Sequence, residues 1–286
     1  MFLRAQRVQP VTRQWNNIMT FKLGFATLRW HEPDLEPCLE ALKEAGWDGW
    51  EARFPLDWMG TPKRLRGICD RVGLPLAVLT AIGSPDHRDS RVFEINKRRM
   101  EFAAEMECDC FMFMCAEQPA DRLANTDEVH RAADAADEWA EFAGTLGLEI
   151  TMHIHTNHTV NSLETWDAYM KRLSRSGLCI DVSHAHLWGI DPVEALTLYR
   201  SQLNYVHLQE YTSVDIRDDR WYYPEWVDVH VPGHMDFPAI RANLAESGFD
   251  RWVTACPGAP IPGADSPMDE ARRSATTLQY LRSIDF

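Results

Sequence analysis

Apolar positions along this chain follow two alternating rhythms. Short apolar runs of strand length alternate with longer stretches in which apolar residues recur every three or four positions. From Phe21 onward this pattern predicts strands at residues 22–26, 49–52, 75–81, 109–115, 149–155, 178–180, 203–209 and 252–256. Helices are predicted at 35–45, 62–72, 92–105, 126–146, 163–173, from Pro192, at 237–247 and at 268–282. Gly46, Gly73 and Gly147 stand where helices should stop. Eight strand–helix units in order, with no Gly-rich dinucleotide fingerprint, predict a single α/β domain: a (β/α)8 TIM barrel over residues 19–286. Residues 1–18 carry Arg4, Arg7 and Arg13 and no acidic residue, and are expected outside the barrel. They read as a disordered arm or as the product of an upstream start codon.

Composition narrows the class. An apolar content of 45% with 25% charged residues fits a globular protein with a substantial core. A net charge of −14 argues against nucleic acid, whose phosphates need a basic surface. No apolar run approaches membrane-spanning length, and no secretory signal pattern opens the chain. Seven cysteines at irregular spacing imply reduced thiols and a cytoplasmic location. Cys108 and Cys110 are expected on one face of a strand and are not read as a zinc pair.

In such barrels chemistry gathers at the carboxyl ends of the strands. Strand one ends near Trp30 and His31, strand two at Glu51 and Arg53, strand three at Thr80 and Ser84, and strand four before Glu117. Strand five offers His153 and His155, which alternate onto one face. Strand six delivers Asp181, with His184 three residues on; strand seven offers His207 and Glu210, and strand eight runs into Cys256. Four histidines and two carboxylates on three consecutive strand ends point to a metal or acid–base site rather than to packing.

Four motifs now stand in order: Gly46-Trp47-Asp48-Gly49-Trp50-Glu51, Asp181-x-x-His184, Val206-His207-Leu208 and Pro232-Gly233-His234-Met235-Asp236-Phe237. Together they resemble the xylose isomerase-like superfamily, which contains sugar isomerases, ketose epimerases, inosose dehydratase and apurinic endonucleases. The resemblance implies a divalent metal held by a Glu, an Asp, a His and a Glu on strands five to eight. Asp181 and His207 match that pattern. His153 stands where the first Glu is expected, in a His-Ile-His context that is similar to inosose dehydratase, and Cys256 replaces the second. Three alternatives stay open: Cys256 joins an N/S ligand set, His155, Glu210 or His230 completes the sphere, or this branch has lost its metal. The metal is expected to be Mn, Zn, Fe or Co, and a softer N/S ligand set favours Zn or Fe.

The resemblance implies enediolate chemistry on a keto-sugar or keto-cyclitol, as lyase or isomerase, with Glu51, His184 and Glu210 as the candidate acid–base groups. Glu51 has the alternative of a salt bridge to Arg53 or Arg29. Ketose 3-epimerase, a non-catalytic or partner-dependent barrel, and an abasic-site endonuclease are the other readings, the last opposed by the acidic charge. Residues 211–232 read as a long aromatic loop over the barrel mouth. Substrate contacts are expected from Trp30, Arg53, Arg217, Trp221, His230 and Cys256, with Trp58 and Trp188 adding to the rim. Arg217 and Arg220 are the loop's only basic pair, so a carbohydrate or cyclitol without phosphate is expected. Some of the aromatics would equally serve a homo-oligomer, dimer or tetramer.

Overall fold

The structure, a computed structural model, describes residues 21–30, 34–86, 90–264 and 266–286. The sequence expectations for residues 1–18 and for His31 lie outside the described residues. In chain order the elements are β1 (Lys22–Ala26), α1 (Leu35–Ala45), β2 (Gly49–Ala52), α2 (Leu56–Met59), α3 (Pro62–Val72), β3 (Leu76–Thr80), α4 (Ser90–Glu105), β4 (Cys110–Phe113), α5 (Thr126–Thr145) and β5 (Glu149–His153). The second half holds α6 (Leu163–Arg172), β6 (Gly177–Asp181), α7 (Val182–Leu187), α8 (Pro192–Leu198), β7 (Leu203–Leu208), β8 (Glu210–Arg217), β9 (Trp221–Val227), α9 (Phe237–Ser247), β10 (Trp252–Ala255) and α10 (Pro267–Ser283).

Eight of these strands close a parallel barrel in the order β1-β10-β7-β6-β5-β4-β3-β2. They are buried on both faces, which is why they read as continuous apolar runs rather than alternating ones. Val78, Cys110, Met112, Cys179, Tyr205 and Trp252 fill the barrel interior, and a larger cluster lies between strands and helices. α1 illustrates the outer layer. It buries Leu35, Cys38, Leu39 and Leu42 on one stripe and ends at Gly46, whose φ of 101° a side chain would strain. Burying each such leucine stabilises the fold by roughly 1.5–3 kcal/mol. Among the described residues no helix is long and apolar enough to cross a membrane.

Three local expectations change. The stretch after strand seven is not a loop but the antiparallel hairpin β8–β9. Its turn closes with Arg220 N–H donating to Arg217 C=O at 3.2 Å, and both central residues, Asp218 and Asp219, have positive φ. β5 stops at His153, so His155 lies in the following loop instead of on the same strand face. Cys108 precedes β4 and packs in the outer layer while Cys110 faces the interior, so their sulfurs lie on opposite sides of the wall.

The hairpin is built onto the barrel rather than hung over it. Asn157 bonds Tyr222 in both directions, Nδ2 donating to its carbonyl at 2.8 Å and Oδ1 accepting its N–H at 2.9 Å. Gln118 and Asn161 both donate to the Arg220 carbonyl. At the hairpin's base, Asp228 Oδ1 accepts from Gly258 N–H, and a Cβ on Gly258 would land on the backbone of Val227 and Asp228. Neither backbone can yield. Gly258→Ala is therefore expected to cost about 1–3 kcal/mol by overpacking. Gly144→Ala, in α5 with open space around it, should be neutral or stabilise by about 0.5–1 kcal/mol. Urea unfolding of both variants checks the pair, and equal midpoints would contradict this account of the hairpin base.

Candidate active site

Three strand ends bring a carboxylate and two imidazoles together. Asp181 ends β6, His153 ends β5 and His207 lies near the end of β7; all are at most 3% exposed. The two Asp181 oxygens have different surroundings. Oδ1 accepts from Ser183 N–H at 3.0 Å, Ser183 Oγ at 2.9 Å and His184 N–H at 3.3 Å, capping α7. Oδ2 is buried without a hydrogen-bond partner. It faces His153 Nε2 at 3.5 Å and His207 Nδ1 at 3.9 Å, while those two nitrogens stand 3.1 Å apart.

That triangle matches a cation's coordination shell. Zinc at its usual bond lengths of about 2.0–2.1 Å to nitrogen holds tetrahedral ligands roughly 3.3 Å from one another. A buried carboxylate oxygen with no donor is otherwise costly. Cys256, immediately after β10, also has its sulfur within 4.8 Å of ligand atoms of Asp181 and His207, and Cys179 is similarly close to those of His153 and His207. The residues present therefore fit a divalent cation, with nitrogen, oxygen and sulfur donors available.

Glu51 sits opposite on β2, fully buried, and accepts from His207 Nε2 at 2.7 Å. Its other oxygen takes Arg53 Nε at 3.2 Å and Thr80 Oγ1 at 3.5 Å. Burial pushes the Glu51 carboxyl upward, but His207 and Arg53 outweigh it and hold it below the ordinary range. Burial pulls His207 downward, and the neighbouring Cys256 and Glu51 raise it well above the usual imidazole value. His153 is driven well down by burial, with His207 and Arg53 adding to the effect. The Glu51 carboxylate thus holds a proton on His207 Nε2 and leaves Nδ1 facing the triangle, the carboxylate–histidine arrangement common behind metal ligands.

A second group of imidazoles flanks the first. His184, on α7, has its ring centroid 5.9 Å from that of His153 and 4.1 Å from that of His155. His158, not singled out by sequence, packs against His155 at 4.6 Å. Burial lowers all three, and neighbouring imidazoles reinforce the effect on His155 and His184. Trp226, from the hairpin, meets His184 edge to face at 5.3 Å, so this indole is the lid aromatic that reaches the cluster.

Several expected residues are placed elsewhere. The Glu210 carboxylate accepts from the N–H groups of Tyr211, His234 and Met235, so it anchors the following loop instead of facing the cluster. A Cβ on Gly233 would strike it. Trp30 is buried in the wall with its indole N–H on Glu270, and His230 Nδ1 pairs with Thr277 on α10. Arg217 lies near the hairpin tip, paired with Asp215 and set over Tyr223, while Trp221 is half-buried under the Arg220 guanidinium. Trp58 packs on Phe54 and Trp188 on Trp166. Arg29 is not the Glu51 partner: one of its guanidinium nitrogens donates to the Pro257 carbonyl. A cleft of about 690 Å³ opens at the amino-terminal end of the barrel among Lys22, Asp48, Glu107, Asp109 and Arg282. Its charges are already paired with one another or with Arg66, so the strand-end cluster is the better candidate.

Comparison with known proteins agrees with this fold. Residues 39–284 match the family described as xylose isomerase-like TIM barrel. The chain is 25% identical over 281 residues to an inosose dehydratase of Geobacillus kaustophilus, covering 82% of this chain and 86% of that protein. It is 24% identical to the rhizopine catabolism protein MocC of Rhizobium meliloti, covering 83% and 82% respectively. Among solved structures, the IOLI protein with a zinc atom superposes with a TM-score of 0.73 at 20% identity, covering 92% of this chain and 99% of that one. The 3-keto-D-glucoside 4-epimerase YcjR of E. coli, in its apo form, gives 0.70 at 18% identity, covering 92% and 100%. With a closed eight-stranded barrel, a buried His–Asp–His triangle at its strand ends and a family match over most of its length, this chain belongs to the xylose isomerase-like TIM barrel family.

Proposed function

We propose that this chain is a metal-dependent enzyme that removes a proton beside the carbonyl of a keto-sugar or keto-cyclitol, acting as a lyase or isomerase. The observation that carries this reading is the unpartnered Asp181 Oδ2 facing His153 Nε2 and His207 Nδ1. Those three residues would hold the cation, with Cys256 as an adjoining soft donor. The chemistry such a cation supplies is Lewis-acid polarisation of a carbonyl, which acidifies the neighbouring C–H. The inosose dehydratase relatives support a cyclitol ketone as substrate class, and the zinc of the IOLI protein supports a divalent metal.

The chain's own residues favour elimination or one-base isomerisation over epimerisation. Epimerisation in this family uses two carboxylate bases. Here Glu51 is engaged by His207 and Arg53, and Glu210 by three backbone amides. Glu51 thus acts through His207, as a positioning residue rather than a base. Proton transfer falls to the imidazoles around His184, held neutral by burial and by one another. Trp226 packs edge to face against His184 on that side.

The test combines elemental analysis with a screen of inososes and keto-sugars in deuterated water. About one divalent metal per chain and deuterium entering the product are expected, with loss of water marking a lyase. Stoichiometric metal without exchange into any ketone would reject the proposed chemistry. Two variants test the site itself. Asp181→Ala should lose the metal while the barrel stays folded, because the lost α7 cap costs only about 1 kcal/mol. Glu51→Gln should retain the fold and weaken metal affinity by about 10–100-fold, as loss of a supporting carboxylate does. Unchanged metal content in Asp181→Ala, measured by titration against a chelator, would remove Asp181 from the ligand set.

A further inference from the structure

Thr156 is bonded to three different histidines. Its backbone N–H donates to His184 Nδ1 at 3.2 Å, and its hydroxyl lies 3.1 Å from the same atom. Its carbonyl is approached by His155 Nδ1 at 2.7 Å and His158 Nδ1 at 2.8 Å. Backbone groups have no choice of role: an amide N–H only donates and a carbonyl only accepts. His184 Nδ1 must therefore be bare, which makes its ring neutral and puts the hydrogen on Nε2. His155 and His158 must each carry hydrogen on Nδ1, so the 3.1 Å approach between those two nitrogens is a shared acceptor and not a bond. In neutral His155 and His158 the lone pair then sits on Nε2. No Nε2 of the three has a hydrogen-bond partner among the described residues.

Arg53 adds a second donor. Its Nε is held by Glu51, while Nη2 is buried with no partner. Its charge is matched by Glu51 at 3.2 Å, so the group offers a hydrogen without presenting an uncompensated cation. The mouth then carries two unused donors, His184 Nε2–H and Arg53 Nη2, beside two unused acceptors, His155 and His158 Nε2. Each hydroxyl of a polyol donates one hydrogen and accepts others, so neighbouring hydroxyls match that mixture, whereas a phosphate offers acceptors only.

We infer that Thr156 sets His155, His158 and His184 into one hydrogen-bonding register, and that this face, with Arg53, selects an uncharged vicinal polyol over its phosphate ester. The inference deepens the keto-cyclitol reading and rests on it for the substrate class. His155 and His158 are specificity-determining residues in this account, and Thr156 is a positioning residue that acts through them.

The experiment uses the full chain, labelled with ¹⁵N-histidine and loaded with zinc, and reads each tautomer from long-range ¹H–¹⁵N correlations. His155→Gln, His158→Gln and His184→Gln assign the signals. His184 should be protonated on Nε2, and His155 and His158 on Nδ1. Adding myo-inositol should shift these three rings, and myo-inositol 1-phosphate should bind no more tightly. His158→Ala should weaken inositol binding by about tenfold, the worth of one or two hydrogen bonds, with zinc content unchanged. An inverted tautomer at any of the three rings overturns the register. Tighter binding of the phosphate, no response to inositol, or unaltered affinity in His158→Ala overturns the selection. The tautomers and inositol shifts are measured without turnover. Absent deuterium exchange with these results intact would therefore reject the proposed reaction alone.

Discussion

A single carboxylate divided between two tasks organises the carboxyl end of this barrel. Asp181 gives one oxygen to the first turn of α7, where three donors converge on it. That hold fixes the plane of the carboxyl group and points the other oxygen at His153 and His207. Helix capping and ligand geometry are thus one constraint. The cost of leaving Oδ2 without a donor is a debt incurred in folding that a cation's charge is suited to offset.

Around that oxygen the site is layered by protonation state. Glu51 stays ionised and keeps His207 protonated on its far nitrogen, while the histidines nearer the mouth are held neutral by burial and by their neighbours. Charge is thereby concentrated at the base of the site and hydrogen-bonding variety at its rim. The hairpin β8–β9 roofs this rim through Trp226, and its position depends on amide side chains from the loops after β4 and β5.

The barrel was legible in the sequence because parallel strands buried on both faces read as apolar runs, and glycines mark helix ends. Asp181, His207 and His153 were legible because a polar residue ending such a run has few other reasons to be there. Glu210 occupies an equivalent position and does something else. Residue type cannot separate a carboxylate that faces a ligand from one that holds backbone amides; Gly233, with no room for a Cβ, was the available signal. The hairpin was read as a loop because neither of its faces is continuously buried, and its turn uses Asp218-Asp219 where Asn-Gly would have announced it. His158 escaped notice because it lies beyond a strand end, and its pairing with His155 depends on the path of the loop around Thr156.

The Glu51–His207 hydrogen bond has a mechanical side. β2 and β7 are not neighbours in the barrel; β1 and β10 stand between them. The 2.7 Å contact is therefore a crossbar spanning the lumen, tying walls that no backbone ladder joins directly. Any splaying of those walls lengthens the crossbar and changes the basicity of His207 at the same moment. The width of the lumen and the electron-donating power of the site are in this way one variable, and stiffness of the barrel becomes a chemical property of its mouth.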